Sequence, residues 1–347
     1  MSSKSSLAAW LPLARAHPFE LKETPQWQPQ DNEILIRNHA VAINPVDHAL
    51  QTQAWYPLDY PTILGQDVAG EVQAVGANVT RFAPGARVLG HAVGMSTKQA
   101  QHNAFQTHTV LQTNMATEIP DSMAYAAAAV IPLGLSTAAA GLFQPDFLGL
   151  PYPTEPRTAP RAQSLLIWGG ASSVGCNAIQ LAVAAGYEVV TTASAKNFEY
   201  VRQLGATEVF DYNCPTVIEN IVRYFQDGGP APLVGVMDCI NFSATAFCVD
   251  VVRRVPAVER KFVVTVRENF PTPPDGVTVK SVFGLSIKDN PVGKAIYEDY
   301  LPKALEAGSF VPAPRPLVVG EGLESVQAAV DLYGRGGISA QKVVVLL

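Results

Sequence analysis

Residues 164–187, SLLIWGGASSVGCNAIQLAVAAGY, run from a continuous apolar stretch through a Gly/Ser turn into residues with helical apolar spacing. A strand ending at Trp168 and a helix opening near Val174 place Gly170, Ser172, Ser173, Val174 and Gly175 between or at the head of these elements. A helix start leaves backbone N–H groups unpaired and carries the positive end of the helix dipole, which suits a pyrophosphate. Gly170 is expected to permit the tight turn, and Gly175 to let the helix pack closely on the strand. The spacing is that of G-x-G-x-x-G with Ser172 at the middle glycine, so the fingerprint is incomplete by itself. Its place at the head of a series of alternating strands and helices gives it weight, and the chemistry it points to is dinucleotide binding.

The next strand, EVVTTA (188–193), decides which dinucleotide. NAD sites place an Asp or Glu at its end to accept from the ribose 2′-OH. Here Ser194, Lys196 and Asn197 follow, with no carboxylate at that point. A hydroxyl and an ammonium suit a 2′-phosphate, so NADPH is the expected cofactor.

The chain has 347 residues, too many for one core of ordinary size, and 48% hydrophobic against 16% charged residues favours folded domains over disorder. Antiparallel β structure is expected from 34–44, 68–76, 86–93 and 104–111, which alternate or are β-branched and are separated by Gly, Pro and Asn. From Tyr125 the sequence turns Ala-rich and helical, and a Pro-laden polar connector follows at 150–163. Six apolar runs, 164–168, 188–193, 208–212, 233–240, 260–266 and 277–284, then alternate with helical segments. That is the pattern of a doubly wound parallel sheet covered on both faces. A long helix (292–307), a second helix and a last strand close the chain.

No run of 18 or more apolar residues is found, so no membrane span is expected. A net charge of −6 without a basic stripe disfavours nucleic acid. Cys176, Cys214, Cys239 and Cys248 form no C-x-x-C pair and read as small apolar residues of a reduced, cytoplasmic protein. Residues 7–13 with the A-x-A at 14–16 faintly imitate a secretory signal, but Pro12 and Arg15 argue for a first strand instead.

Three stretches, AINPVDHAL (42–50), GQDVAGEVQAVGANVTRFAPGARVLG (65–90) and WGGASSVGCNAIQLA (168–182), resemble the medium-chain dehydrogenase/reductase superfamily over essentially the whole chain. They look like its zinc-independent branch of quinone oxidoreductases and enoyl reductases, including the fungal trans-acting enoyl reductases of polyketide pathways. The resemblance implies an α/β protein with a GroES-like β-rich catalytic domain (1–125 and 286–347) and a Rossmann cofactor domain (126–285). Zinc-dependent members carry a Cys and a His-Glu pair where this chain has Asn44 and Gln66-Asp67, so no metal is expected.

Without a Lewis acid the expected substrate is an activated C=C bond in an enone, a quinone or a polyketide-type enoyl thioester, which a polyketide synthase carrier could present. Tyr56 matches a tyrosine over the nicotinamide, able to donate to the developing oxyanion or to protonate the α-carbon, or to serve as a wall. Asp47 and His48 match contacts to the nicotinamide half. Tyr212, Ile240, Asn241 and Ser339 match further cofactor contacts, and Leu133, Gly134, Ser136 and Thr137 the helix start beside the substrate. Enoyl reductases often carry a lysine two residues beyond that aspartate, where this chain has Ala49, so the proton donor is open. The alternatives are a zinc-free ketone reductase and an NADPH-binding protein without activity. Relatives occur as monomers and as homodimers paired through the sixth strand, and both states stay open.

Overall fold

The computed structural model describes residues 6–227, 232–240, 242–256, 258–266 and 272–347. The chain divides into two compact units, one ending at Leu133 and resuming at Pro312, the other spanning Gly134–Val311. Both divisions fall later than the sequence boundaries at 125/126 and 285/286. Leu133 N–H and the Val130 carbonyl are held by Asp67 and Lys342 of the first unit. Residues after Gly284 stay with the second unit, where Tyr297 bonds Ser136 (2.7 Å) and Asn290 donates to Gln144 (2.8 Å).

In the second unit the six expected strands form one parallel sheet in the order Glu208–Asp211, Glu188–Ala193, Ser164–Trp168, Leu233–Asp238, Phe262–Thr265, Thr278–Ser281. Ser164–Trp168 is first in the chain and third in the sheet, so the order reverses beside it, and ligands in such sheets bind outside the carboxyl ends of the strands at that reversal. Its five residues are all buried, because helices cover both faces. One face packs Leu166, Val236 and Val263 against Ile218, Ile221 and Val222 from Val217–Gln226 and Val251 and Val252 from Phe242–Arg254. Each such fully buried side chain contributes about 1.5–3 kcal/mol. The helix expected at 292–307 is present, but Ala295–Tyr300 forms a wider π turn ahead of Pro302, which has no N–H to donate back. The Pro-laden connector is pinned to the sheet unit by Thr158 N–H on Ala184 O (3.1 Å) and Arg161 N–H on Gly186 O (2.9 Å).

In the first unit the expected strands become Glu33–Ala42, Asp67–Val75, Arg87–His91 and His108–Gln112 in a seven-stranded sheet. The last strand, Gln341–Leu346, lies antiparallel to Glu33–Ala42 with Val344 opposite Ala42. A smaller sheet has Leu7–Leu11, the strand expected at the N-terminus, between Glu20–Glu23 and Thr62–Ile63. The nine-residue helix Pro45–Gln53 follows Asn44 and has no forerunner in the sequence reading.

Tyr125–Phe143 is long and apolar enough, by length and composition, to cross a membrane. It is the interior of a fold: 83% of its most apolar window is buried, and Pro132 divides it into Tyr125–Ala128 and Pro132–Phe143.

Candidate functional site

The turn after Ser164–Trp168 is built from backbone approach. Gly169 has φ +84°, the left-handed region that glycine enters without strain, so the tight turn belongs to Gly169 and not to Gly170 as expected. Gly170 is needed for space: a Cβ there would collide with the Thr191 hydroxyl. A Cβ on Gly175 would collide with the Gly169 carbonyl, which bears out the close packing expected of it. The helix runs Ser173–Ala184, and Ser172 caps it by accepting the Gly175 N–H (3.0 Å). Ser173 and Val174 form its half-buried first turn. Two residues the sequence reading missed pin this turn: Thr192 Oγ1 accepts the Gly169 N–H (2.9 Å), and Thr191 Oγ1 donates to Ile167 O (2.6 Å). Their signal was a pair of hydroxyls inside a buried strand.

The other candidates of this unit gather at the same carboxyl ends. Ser194 follows Glu188–Ala193 and accepts from Asn197 Nδ2 (3.1 Å), while Lys196 is exposed. Tyr212 is exposed just beyond Glu208–Asp211. Ile240 lies against Gly169, held by its N–H on Asp238 Oδ1 (2.9 Å). Asn241 lies outside the described residues. A turn with no space for a Cβ, the start of a helix and a capping serine fit a dinucleotide. Gly134 packs against Ser173, and Thr137 against Gly284. Ser136, expected beside the substrate, is fully buried with its hydroxyl on Tyr297, so it belongs to the core of this unit.

The first unit holds a buried polar network. Asn44 Nδ2 donates to Asp67 Oδ2 (2.8 Å), Leu133 N–H donates to Asp67 Oδ1 (2.6 Å), and the Lys342 ammonium pairs with Asp67. His91, kept neutral by burial with its pKa down to about 4, donates to Gln66 Oε1 (3.0 Å). Asp47, at the third position of Pro45–Gln53, is fully buried and accepts the Asn44 N–H on Oδ2 (2.8 Å). Its Oδ1 has no partner. Burial first, then the nearby Asp67, raises its pKa to about 7. Asp47, expected among the cofactor contacts, is one of the residues lining a pocket with Leu50, Asp59, Gln66, Met95, Lys98 and Asn103.

The remaining candidates of this unit lie nearer its surface. Tyr56 is half-buried, edge-on to Trp55 at 5.6 Å, and its hydroxyl has no hydrogen bond among the described residues. His48 packs beside Tyr333 (6.1 Å) and Gly334. Ser339 is half-buried in the loop before the last strand.

Residues 30–131 match the family described as "Alcohol dehydrogenase GroES-like domain", and residues 173–254 that described as "Zinc-binding dehydrogenase". The chain is 59% identical over 343 residues, covering 99% of itself and 98% of the relative, to the zinc-binding alcohol dehydrogenase domain-containing protein cipB of Emericella nidulans. It is 39% identical over 351 residues, covering 99% and 98%, to the trans-enoyl reductase himH of Aspergillus japonicus. Among solved structures, an alcohol dehydrogenase superfamily protein from Novosphingobium aromaticivorans has the same fold, with TM-score 0.79, 24% identity and coverage of 99% and 100%.

The zinc in two of these names can be tested on the side chains. Asn44 and Gln66 offer neutral amides, and the Asp67 carboxylate bonded to Asn44 is engaged by an ammonium. A divalent cation would have to displace Lys342 from that carboxylate without a thiolate beside it, and among the described residues no three His, Cys, Asp or Glu side chains are grouped to hold a metal, so the donor set does not fit zinc. The chain belongs to the medium-chain dehydrogenase/reductase family of oxidoreductases, whose nucleotide-binding half implies an NAD(P) cofactor, and within that family it is enoyl-reductase-like.

Proposed function

We propose that this protein reduces an activated C=C bond, in an enone, a quinone or a polyketide-type enoyl thioester, with NADPH and without a metal. The observation that carries the reading is the pairing of Lys342 with Asp67 beside two amides in the first unit, in a chain whose second unit holds a dinucleotide-type turn. Alcohol oxidation in this family needs a Lewis acid to hold an alkoxide, whereas reduction of a conjugated C=C bond needs only donors to the enolate oxygen. The trans-enoyl reductase himH, at 39% identity, supports reduction of an enoyl group as the reaction.

The reduced nicotinamide supplies a hydride to the β-carbon of the conjugated system. The chain's residues do the rest. The helix Ser173–Ala184 holds the pyrophosphate at its N-terminus, and Ser194 and Lys196 take the 2′-phosphate. The free hydroxyl of Tyr56 donates to the enolate oxygen as charge develops. Consumption of NADPH measured against a panel of enones, quinones and enoyl thioesters tests the reading. Turnover that survives chelator supports it, and no turnover of any member of the panel removes it.

A further inference from the structure

Thr191 and Thr192 are neighbours in the strand Glu188–Ala193, both fully buried, and their hydroxyls do different work. Thr191 Oγ1 donates to Ile167 O (2.6 Å), a carbonyl inside Ser164–Trp168, and so serves the sheet. Thr192 serves the turn. Its Oγ1 accepts the Gly169 N–H (2.9 Å), and its main-chain carbonyl accepts the Gly170 N–H (2.9 Å). Both N–H groups of the glycine pair end on this one residue.

The rest of the turn hangs from Gly169. Its carbonyl accepts the Ser172 N–H (3.0 Å), and it lies so close to Gly175 that a Cβ there would collide with it. Ser172 in turn accepts the Gly175 N–H (3.0 Å) and starts the helix Ser173–Ala184. Gly169 itself has no side chain that packing could grip, and at φ +84° it occupies one of the many conformations open to glycine. Hydrogen bonds must therefore fix it. A pyrophosphate is held at a helix start by main-chain N–H groups, and such bonds weaken steeply as their length and angle drift. A shift at Gly169 passes directly into that geometry.

We propose that Thr192 is a positioning residue for the dinucleotide: acting through Gly169, its hydroxyl sets the affinity of the turn for the pyrophosphate that NADH and NADPH share. The inference rests on the dinucleotide reading of this turn. It is independent of the choice between the two cofactors, which falls to Ser194 and Lys196, and of the substrate.

Thr192→Val puts a methyl in place of the hydroxyl. A methyl carbon accepts no hydrogen bond and rests about 3.5–4.0 Å from its neighbours, so at the 2.9 Å position it both strands the Gly169 N–H and pushes the turn aside. Titrated by nicotinamide fluorescence on the full-length protein, NADH and NADPH should each bind the variant about tenfold more weakly, with the ratio between them unchanged. Thr192→Ser keeps the hydroxyl and should bind both within about threefold of wild type. Thr192→Ala, which removes the hydroxyl without crowding, replaces the valine variant if that one does not fold. A hydroxyl-free variant that binds both cofactors as tightly as wild type, however much stability it has lost, overturns the role of Thr192. So does a serine variant as weak as the valine one, or a loss confined to NADPH, which would belong to the 2′-phosphate and not to the turn. A wild type that binds neither dinucleotide overturns the dinucleotide reading, and this role with it.

Discussion

At the head of the helix Ser173–Ala184 the ligand-facing chemistry belongs to the main chain. A helix start, a left-handed glycine and two positions where a Cβ would collide come from a few consecutive residues, steadied by two threonines of the neighbouring strand. In the β-rich unit the polar chemistry belongs to side chains, and Asn44, Asp47, Asp67 and Lys342 come from stretches far apart in the chain. The first arrangement fails when something is added, because there is no space for a methyl group. The second fails when something is removed, because a buried charge loses its partner.

That contrast orders the expected effects. Lys342→Met should cost most, about 3–5 kcal/mol in urea unfolding, since it strands the Asp67 carboxylate, and adding Asp67→Asn should recover much of it. A loss below about 1 kcal/mol would mean the network does not depend on its charges. Gly175→Ala should come next, at about 1–3 kcal/mol with weakened dinucleotide binding, despite the better helix propensity of alanine. An alanine variant as stable as wild type would show that the turn can yield. Lys196→Ala should leave stability alone and shrink a preference for NADPH over NADH of about tenfold or more. Equal binding of both cofactors by the unmodified protein, read by nicotinamide fluorescence, would break the assignment. Ser172→Ala, which removes the cap and adds nothing, should cost only about 1 kcal/mol.

The parallel sheet was legible because its signals are local: SLLIW and LVGVMD are unbroken apolar runs that only a strand covered on both faces explains. The turn was legible as a motif but not in its details. Nothing in a G-G pair says which glycine takes the positive φ, and that depends on Thr191 and Thr192 across the sheet. Ser136 looked available in VIPLGLST because its partner, Tyr297, lies beyond the whole parallel sheet in sequence. The isolation of Asp47 Oδ1 was invisible for a related reason. An unpaired atom is defined by everything that fails to reach it, and no window of sequence contains that information.

Lys342 belongs to Gln341–Leu346, which completes the sheet by pairing with Glu33–Ala42, one of the earliest strands made. During synthesis the β-rich unit must therefore wait for residues 341–346, with Asp67 lacking its ammonium and the 40–42 end of Glu33–Ala42 open. The second unit, uninterrupted from Gly134 to Val311, has all its strands well before that. A nascent chain stalled before Gln341 would carry a formed parallel sheet while the β-rich unit still lacked its closing strand.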